Sequence, residues 1–168
     1  EKGGCCRLAL TDLDKQSRDL FVSWCETEGC SIKVDQMGNI FARREGSDPN
    51  MGAVVMGSHF DTQPTGGTFD GVDGVLAGLE VIRSLNDQNI TTQAPMEASV
   101  WTNEEGSRFA PAMVASGVFA GVFDLEYGLS RADLDGLTMG EELKRIGYDG
   151  KEPMGERPIK AFFEAHIE

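Results

Sequence analysis

Histidine is nearly absent from this chain: 168 residues contain only two, His59 and His166. Any imidazole chemistry must run through these positions. Cysteine is scarce as well. Cys5, Cys6, Cys25 and Cys30 lack paired C-x-x-C spacing, which argues against a zinc knuckle, and a chain of this length needs no disulfide staples. The expectation is reduced thiols in a cytoplasmic protein. Basic residues are outnumbered, with 15 Lys and Arg against 28 Asp and Glu and a formal net charge of −13. That balance argues against nucleic acid and anionic membrane as partners. No apolar run approaches the roughly 18 residues needed to cross a bilayer. No basic start leads into an apolar stretch of the secretory kind. Internal repeats and low-complexity segments are missing too.

What is present suits one domain with a real core, since 40% of the residues are hydrophobic. Helix and strand signals alternate. Thr11 with Asp14 reads as a helix start, with Leu13, Leu20, Phe21, Trp24 and Cys25 as its apolar face and Gly29 as its end. Ser31–Asp35 and Ile40–Arg43 read as strands around a turn at Gln36–Asn39. Ala53–Met56 is a short apolar strand of the kind buried in a sheet. A Gly-rich loop spans Gly57 to Gly71, and a helix with Val75, Leu79, Ile82 and Leu85 on one face runs from Val72 to about Asn89. Glu97–Thr102 is the next strand. Thr138 with Glu141 forms a capping box for a helix ending near Gly147. Lys160–Ile167 is a final apolar strand after a loop from Asp149 to Pro158. The pattern predicts an α/β layer arrangement with ligand candidates at strand ends, where open sheets place their sites. The chain opens without Met and closes at Glu168 inside that strand. Domains seldom stop inside a strand, so the expectation is a piece of a longer protein.

Both histidines sit among metal-ligand residue types. His59 and Asp61 lie in Gly57-Ser58-His59-Phe60-Asp61-Thr62, Asp70 follows in Thr68-Phe69-Asp70-Gly71, Glu104 and Glu105 form a pair, and His166 lies in Glu164-Ala165-His166-Ile167-Glu168. Taken singly, a His at a strand end, a Gly-Gly turn or a Glu pair is ordinary structure. Together they are the ingredients of a two-metal hydrolase centre. Imidazole and carboxylate suit Zn²⁺, Mn²⁺ or Co²⁺, and two such ions can share a water and polarise a carbonyl.

Residues 57–75, GSHFDTQPTGGTFDGVDGV, resemble the metal-binding loop of the N-carbamoyl-L-amino-acid hydrolase family. That family includes β-ureidopropionase and allantoate amidohydrolase, and it belongs to the wider aminoacylase/carboxypeptidase metallohydrolase clan. WTNEEGSRFAPAM (101–113) resembles its second motif, and EAHIE (164–168) the start of its third. The resemblance covers nearly the whole chain in collinear order. It implies a three-layer αβα catalytic domain with a central mixed sheet, here incomplete, and two divalent metal ions (Zn, Mn or Co). His59, Asp70 and His166 would hold one ion, and Asp70 would bridge to a second that Glu105 also binds. Glu104 would be the general base. Asp61 would hydrogen-bond His59 and fix its tautomer. The substrate would be a small N-carbamoyl-amino acid or related ureido compound.

Family chains are more than twice this length. They carry a further ligand His, an inserted lid or dimerisation domain and a substrate-binding Arg in their later parts. The expectation is therefore that residues 1–168 are the N-terminal part of the catalytic domain, that the full-length form is a homodimer, and that this stretch is inactive alone. Two alternatives stay open. One is a metallopeptidase or aminoacylase of the same clan, although such relatives more often have an acidic residue at the third ligand position. The other is a non-catalytic metal-binding module, which gives Glu104 no reason to be there.

Overall fold

The computed structural model describes residues 3–167. In chain order its elements are α1 (Asp12–Thr27), β1 (Ser31–Val34), β2 (Ile40–Arg44), β3 (Ala53–His59), α2 (Val72–Asp87), β4 (Met96–Trp101), α3 (Val114–Phe119), α4 (Leu125–Leu129), α5 (Met139–Ile146) and β5 (Ile159–Phe163). The strands form one open mixed sheet in the order β1-β2-β4-β3-β5. β1 with β2 and β2 with β4 are antiparallel. β4, β3 and β5 run parallel, so their carboxyl ends share one edge of the sheet.

Helices lie on both faces. Ala98 and Val100 of β4 join Val75, Leu79 and Ile82 of α2 in the core. Trp101 points the other way, as strand alternation requires, and meets the rings of Phe119 in α3 and Phe162 in β5 at 5.2 and 6.0 Å. The expected α/β fold with helices flanking a mixed sheet is what forms. No helix among the described residues is long and apolar enough to cross a membrane.

Three details depart from the sequence reading. The buried stripe of α1 is Asp14, Arg18, Phe21 and Cys25. Leu13, Leu20 and Trp24 are exposed, because two charged residues occupy the inward positions and rotate the helix away from its apolar-looking side. β3 runs on to His59 instead of yielding to a loop at Gly57. Gly57 is paired with Ser99 of β4, and a Cβ there would collide with that neighbour, so this glycine serves close packing within the sheet. β5 ends at Phe163, leaving His166 on an extended tail. α3 and α4, of 6 and 5 residues, are too short to show a helical period in sequence.

Candidate metal centre

The shared edge of the three parallel strands carries the site. His59 is the last residue of β3. Glu104 and Glu105 follow β4, Asp70 lies just before α2, and His166 is three residues past β5. Local packing fixes each one. The Ser58 hydroxyl donates to Glu164 at 2.6 Å, and Gly74 leaves room for the Ala165 carbonyl where a Cβ would collide with it. Those contacts bring the tail, and with it His166, over the end of β3. Glu168, the last residue of the third motif, lies outside the described residues.

The five expected residues converge. His59 Nε2 is 3.1 Å from His166 Nε2. Asp70 Oδ1 is 3.6 Å from each of these nitrogens. Glu104 Oε2 is 3.5 Å from His59 Nε2. Two groups can converge on a cation: His59, Asp70 and His166, and His59, Glu104 and Glu105. Between them lies a cleft of about 130 Å³ lined by Gln63, Asp70, Glu104, Glu105, Ala112 and His166.

His59 is fully buried, and its Nδ1 lies 2.8 Å from the backbone carbonyl of Asp61. A carbonyl only accepts, so Nδ1 is the donor, and the neutral ring is left with a bare lone pair on Nε2. Sequence reasoning gave this task to Asp61, and its carbonyl rather than its carboxylate performs it. That carboxylate stands 3.9 Å from Nδ1 and is engaged elsewhere. Its two oxygens accept the backbone N–H groups of Glu104 and Glu105, both at 3.1 Å. Asp61 therefore sets the tautomer through its main chain and holds the Glu pair through its side chain. Burial pushes its carboxyl up to about 6, while the two backbone amides pull the other way.

These residues fit divalent cations. Imidazole nitrogens and carboxylate oxygens face one another 3–4 Å apart, the spacing of groups that share one cation. For metal–ligand bonds of about 2.0–2.1 Å, neighbouring ligands on a tetrahedron are about 3.3 Å apart. Glu105 Oε1 is buried without a hydrogen-bond partner. Burial first, and then the adjacent Asp70 carboxylate, raise the Glu105 carboxyl above its ordinary range. Two carboxylates held this close call for a cation. Gln63 was not singled out from sequence as a contact, yet its Nε2 donates to Glu105 Oε2 at 3.1 Å; its place in the ligand loop was the available signal.

Known proteins show which family the chain resembles. Residues 55–168 match the family model "Peptidase family M20/M25/M40". The N-carbamoyl-L-amino-acid amidohydrolase of Rhizobium meliloti is 57% identical over 166 residues, covering 99% of this chain and 40% of the relative. The ureidoglycolate hydrolase of Arabidopsis thaliana is 32% identical over 171 residues, covering 96% and 36%. An amidase of the hydantoinase/carbamoylase family from Burkholderia multivorans superposes with a TM-score of 0.98 at 68% identity, covering 99% of this chain and 41% of that one. The chain thus spans about two fifths of the length of these relatives. With the ligand-bearing loop, the Glu pair and His166 all inside the matched stretch, the chain belongs to peptidase family M20/M25/M40.

Proposed function

We propose that this chain is the N-terminal part of the catalytic domain of a metal-dependent amidohydrolase. The bond cleaved is a non-peptide C–N bond of an N-carbamoyl-amino acid or a related ureido compound. The observation that carries the reading is the Glu pair. One Asp61 carboxylate fixes both backbones, while Glu105 accepts from Gln63 and Glu104 approaches His59. In this reading the two adjacent carboxylates, both within reach of His59, take separate tasks. The relatives' names favour ureido compounds over peptides.

His59, Asp70 and His166 would hold one divalent ion, and Asp70 and Glu105 would contribute to a second. When bound, the ions supply positive charge that acidifies water and polarises the substrate carbonyl. Glu104 takes a proton from the attacking water and delivers it to the leaving nitrogen. Asp61 keeps that carboxylate in place through its amide, and the His59 Nδ1–carbonyl bond keeps Nε2 free of a proton. One N-carbamoyl-amino acid and one water give the amino acid, CO₂ and ammonia.

A second reading makes Glu104 a ligand, because its oxygen approaches His59 Nε2 as closely as Asp70 does. The two separate in a chimera in which this stretch replaces the matching segment of the Rhizobium meliloti relative. It is assayed for ammonia release from N-carbamoyl-amino acids, 3-ureidopropionate and allantoate with Mn²⁺, Co²⁺ or Zn²⁺. Glu104→Gln should keep its metal content and lose about 10²–10⁴-fold in turnover, whereas Glu105→Gln should lose metal as well. Equal metal loss in the two variants makes Glu104 a ligand. No metal-dependent ammonia release from any of these substrates defeats the functional reading.

A further inference from the structure

We propose that Arg18, in the middle of α1, is a positioning residue for the Glu104–Glu105 pair and acts through Thr102. The inference rests on the reading of that pair as base and ligand. Nothing in the sequence motifs involves Arg18, which lies 84 residues away from Thr102.

Arg18 is fully buried. Its Nε donates to Asp14 Oδ2 at 2.9 Å, its Nη1 to the Gly38 carbonyl at 2.8 Å and its Nη2 to the Thr102 hydroxyl at 3.2 Å. The Tyr148 ring lies 5.4 Å from its guanidinium carbon. A buried cation is costly, and packed apolar residues often serve stability as well or better. Asp14 answers the charge. The other two bonds go to neutral acceptors on separate segments, the β1–β2 turn and the residue after β4. A planar, rigid fork with donors on several edges is suited to fixing three segments in one geometry.

Thr102 is where the chain leaves the sheet for the metal centre. Its backbone N–H and its hydroxyl are both engaged. Its N–H donates to Asn39 Oδ1 at 2.9 Å, and its hydroxyl receives Arg18. Asn39 is itself held by Asp35, whose oxygens accept the Asn39 N–H at 3.0 Å and its Nδ2 at 2.8 Å. Next comes Asn103, with a φ of 55° and a side chain that donates to the Phe109 carbonyl at 2.7 Å. Then come the two amides on Asp61. Every residue from Thr102 to Glu105 is thus tied down. Arg18 anchors the start of the turn as Asp61 anchors its end. If Thr102 moves, the amides leave the Asp61 carboxylate and the Glu side chains move with them.

The test compares Thr102→Val, which removes the acceptor of Arg18 and keeps the N–H, with Thr102→Ser, which keeps both. Each is made in the chimera with the Rhizobium meliloti relative. The readouts are amide hydrogen exchange at Glu104 and Glu105, Co²⁺ affinity from visible absorption, and melting temperature. Thr102→Val should speed exchange at those two amides by about tenfold or more relative to amides within α2. It should weaken Co²⁺ binding by roughly 10–100-fold, while Thr102→Ser stays within about twofold of the parent on both measures. Arg18→Met should reproduce the valine variant if it folds. If Thr102→Val melts earlier but exchanges and binds Co²⁺ as the parent does, the link from Arg18 only stabilises the fold and the inference is overturned. If the parent binds no Co²⁺, the metal reading of the site has failed separately, and the exchange rates alone decide on Arg18.

Discussion

Gly71 lies directly beneath the His59 imidazole: a Cβ at this position would sit 2.5 Å from the ring's Cε1 and Nε2. Its φ of 67° also places it in the left-handed region that disfavours side chains. Space and backbone both require glycine, immediately after the ligand candidate Asp70. Gly71→Ala should push the imidazole off its position and cost about 1–3 kcal/mol from backbone strain. Urea denaturation should show the destabilisation, and a Co²⁺ titration should show binding lost or weakened. Parent-like results in both would mean that the ring has room to spare.

Asp35 gives the fold a pH signature away from the metal centre. Burial pushes its carboxyl up to about 6, against the pull of its bonds from Asn39 and Met37 and of the Arg157 charge. A folded-state value above the unfolded one means that the folded protein holds this proton more tightly. The contribution is fully present below the unfolded value of about 3.9. It is lost as pH rises through about 6. In Asp35→Asn that pH-dependent part disappears. The unfolding free energy of the parent relative to the variant should therefore fall between pH 4 and pH 7, by up to about 3 kcal/mol at ~1.4 kcal/mol per pH unit. A difference that stays flat, or rises, over this window contradicts the assignment.

The motif residues that could be read along the chain, His59, Asp70, the Glu pair and His166, are the ones the fold gathers. Their spacing within loops and their positions at strand ends were visible in sequence. The parallel sheet then brings those ends to one edge. What escaped was set by contacts between distant segments. The inward turn of α1 could not be seen, because a buried Asp14–Arg18 pair looks like a solvated face until its partners Gly38 and Thr102 are known. The division of labour within Asp61 was equally hidden. Whether its carbonyl or its carboxylate meets His59 depends on backbone direction over two residues, which no residue type encodes. Gly57 looked like a loop because glycine usually marks one, whereas a close neighbour across the sheet demands it here.

The cysteines should divide by exposure. All four are free; Cys6 is exposed, Cys5 half-buried, and Cys25 and Cys30 are buried. Burial pushes the Cys25 thiol up to about 12 and the Cys30 thiol to about 11, so neither offers thiolate at neutral pH. A thiol reagent at pH 8 should label Cys6 rapidly and reach Cys25 and Cys30 only on unfolding. None lies among the metal-ligand candidates, so replacing all four with Ala or Ser should leave Co²⁺ binding intact in whatever fraction folds. Loss of metal binding by a folded four-fold variant would assign a thiol to the site.

Metal stoichiometry follows from the ligand set. Both histidines stand with Asp70 at one position, and the second group shares His59 with Glu104 and Glu105; with His59 committed to the first ion, only carboxylates among the described residues are left for a second. Two carboxylates without an imidazole make a weaker site for Zn²⁺ or Co²⁺ than two imidazoles with a carboxylate. Calorimetric titration of this 168-residue chain with Zn²⁺ should therefore show one tight equivalent and a second that is much weaker. His166→Ala should remove the tight one and leave the weak phase. With one cation held loosely, water activation and carbonyl polarisation both suffer. Ammonia release from N-carbamoyl-amino acids by this chain should then fall far below that of intact relatives. Two tight equivalents together with relative-like turnover would show that this chain's own residues complete both positions, or that a second copy of the chain supplies the missing ligand. Sedimentation of the metal-loaded protein would tell those two cases apart.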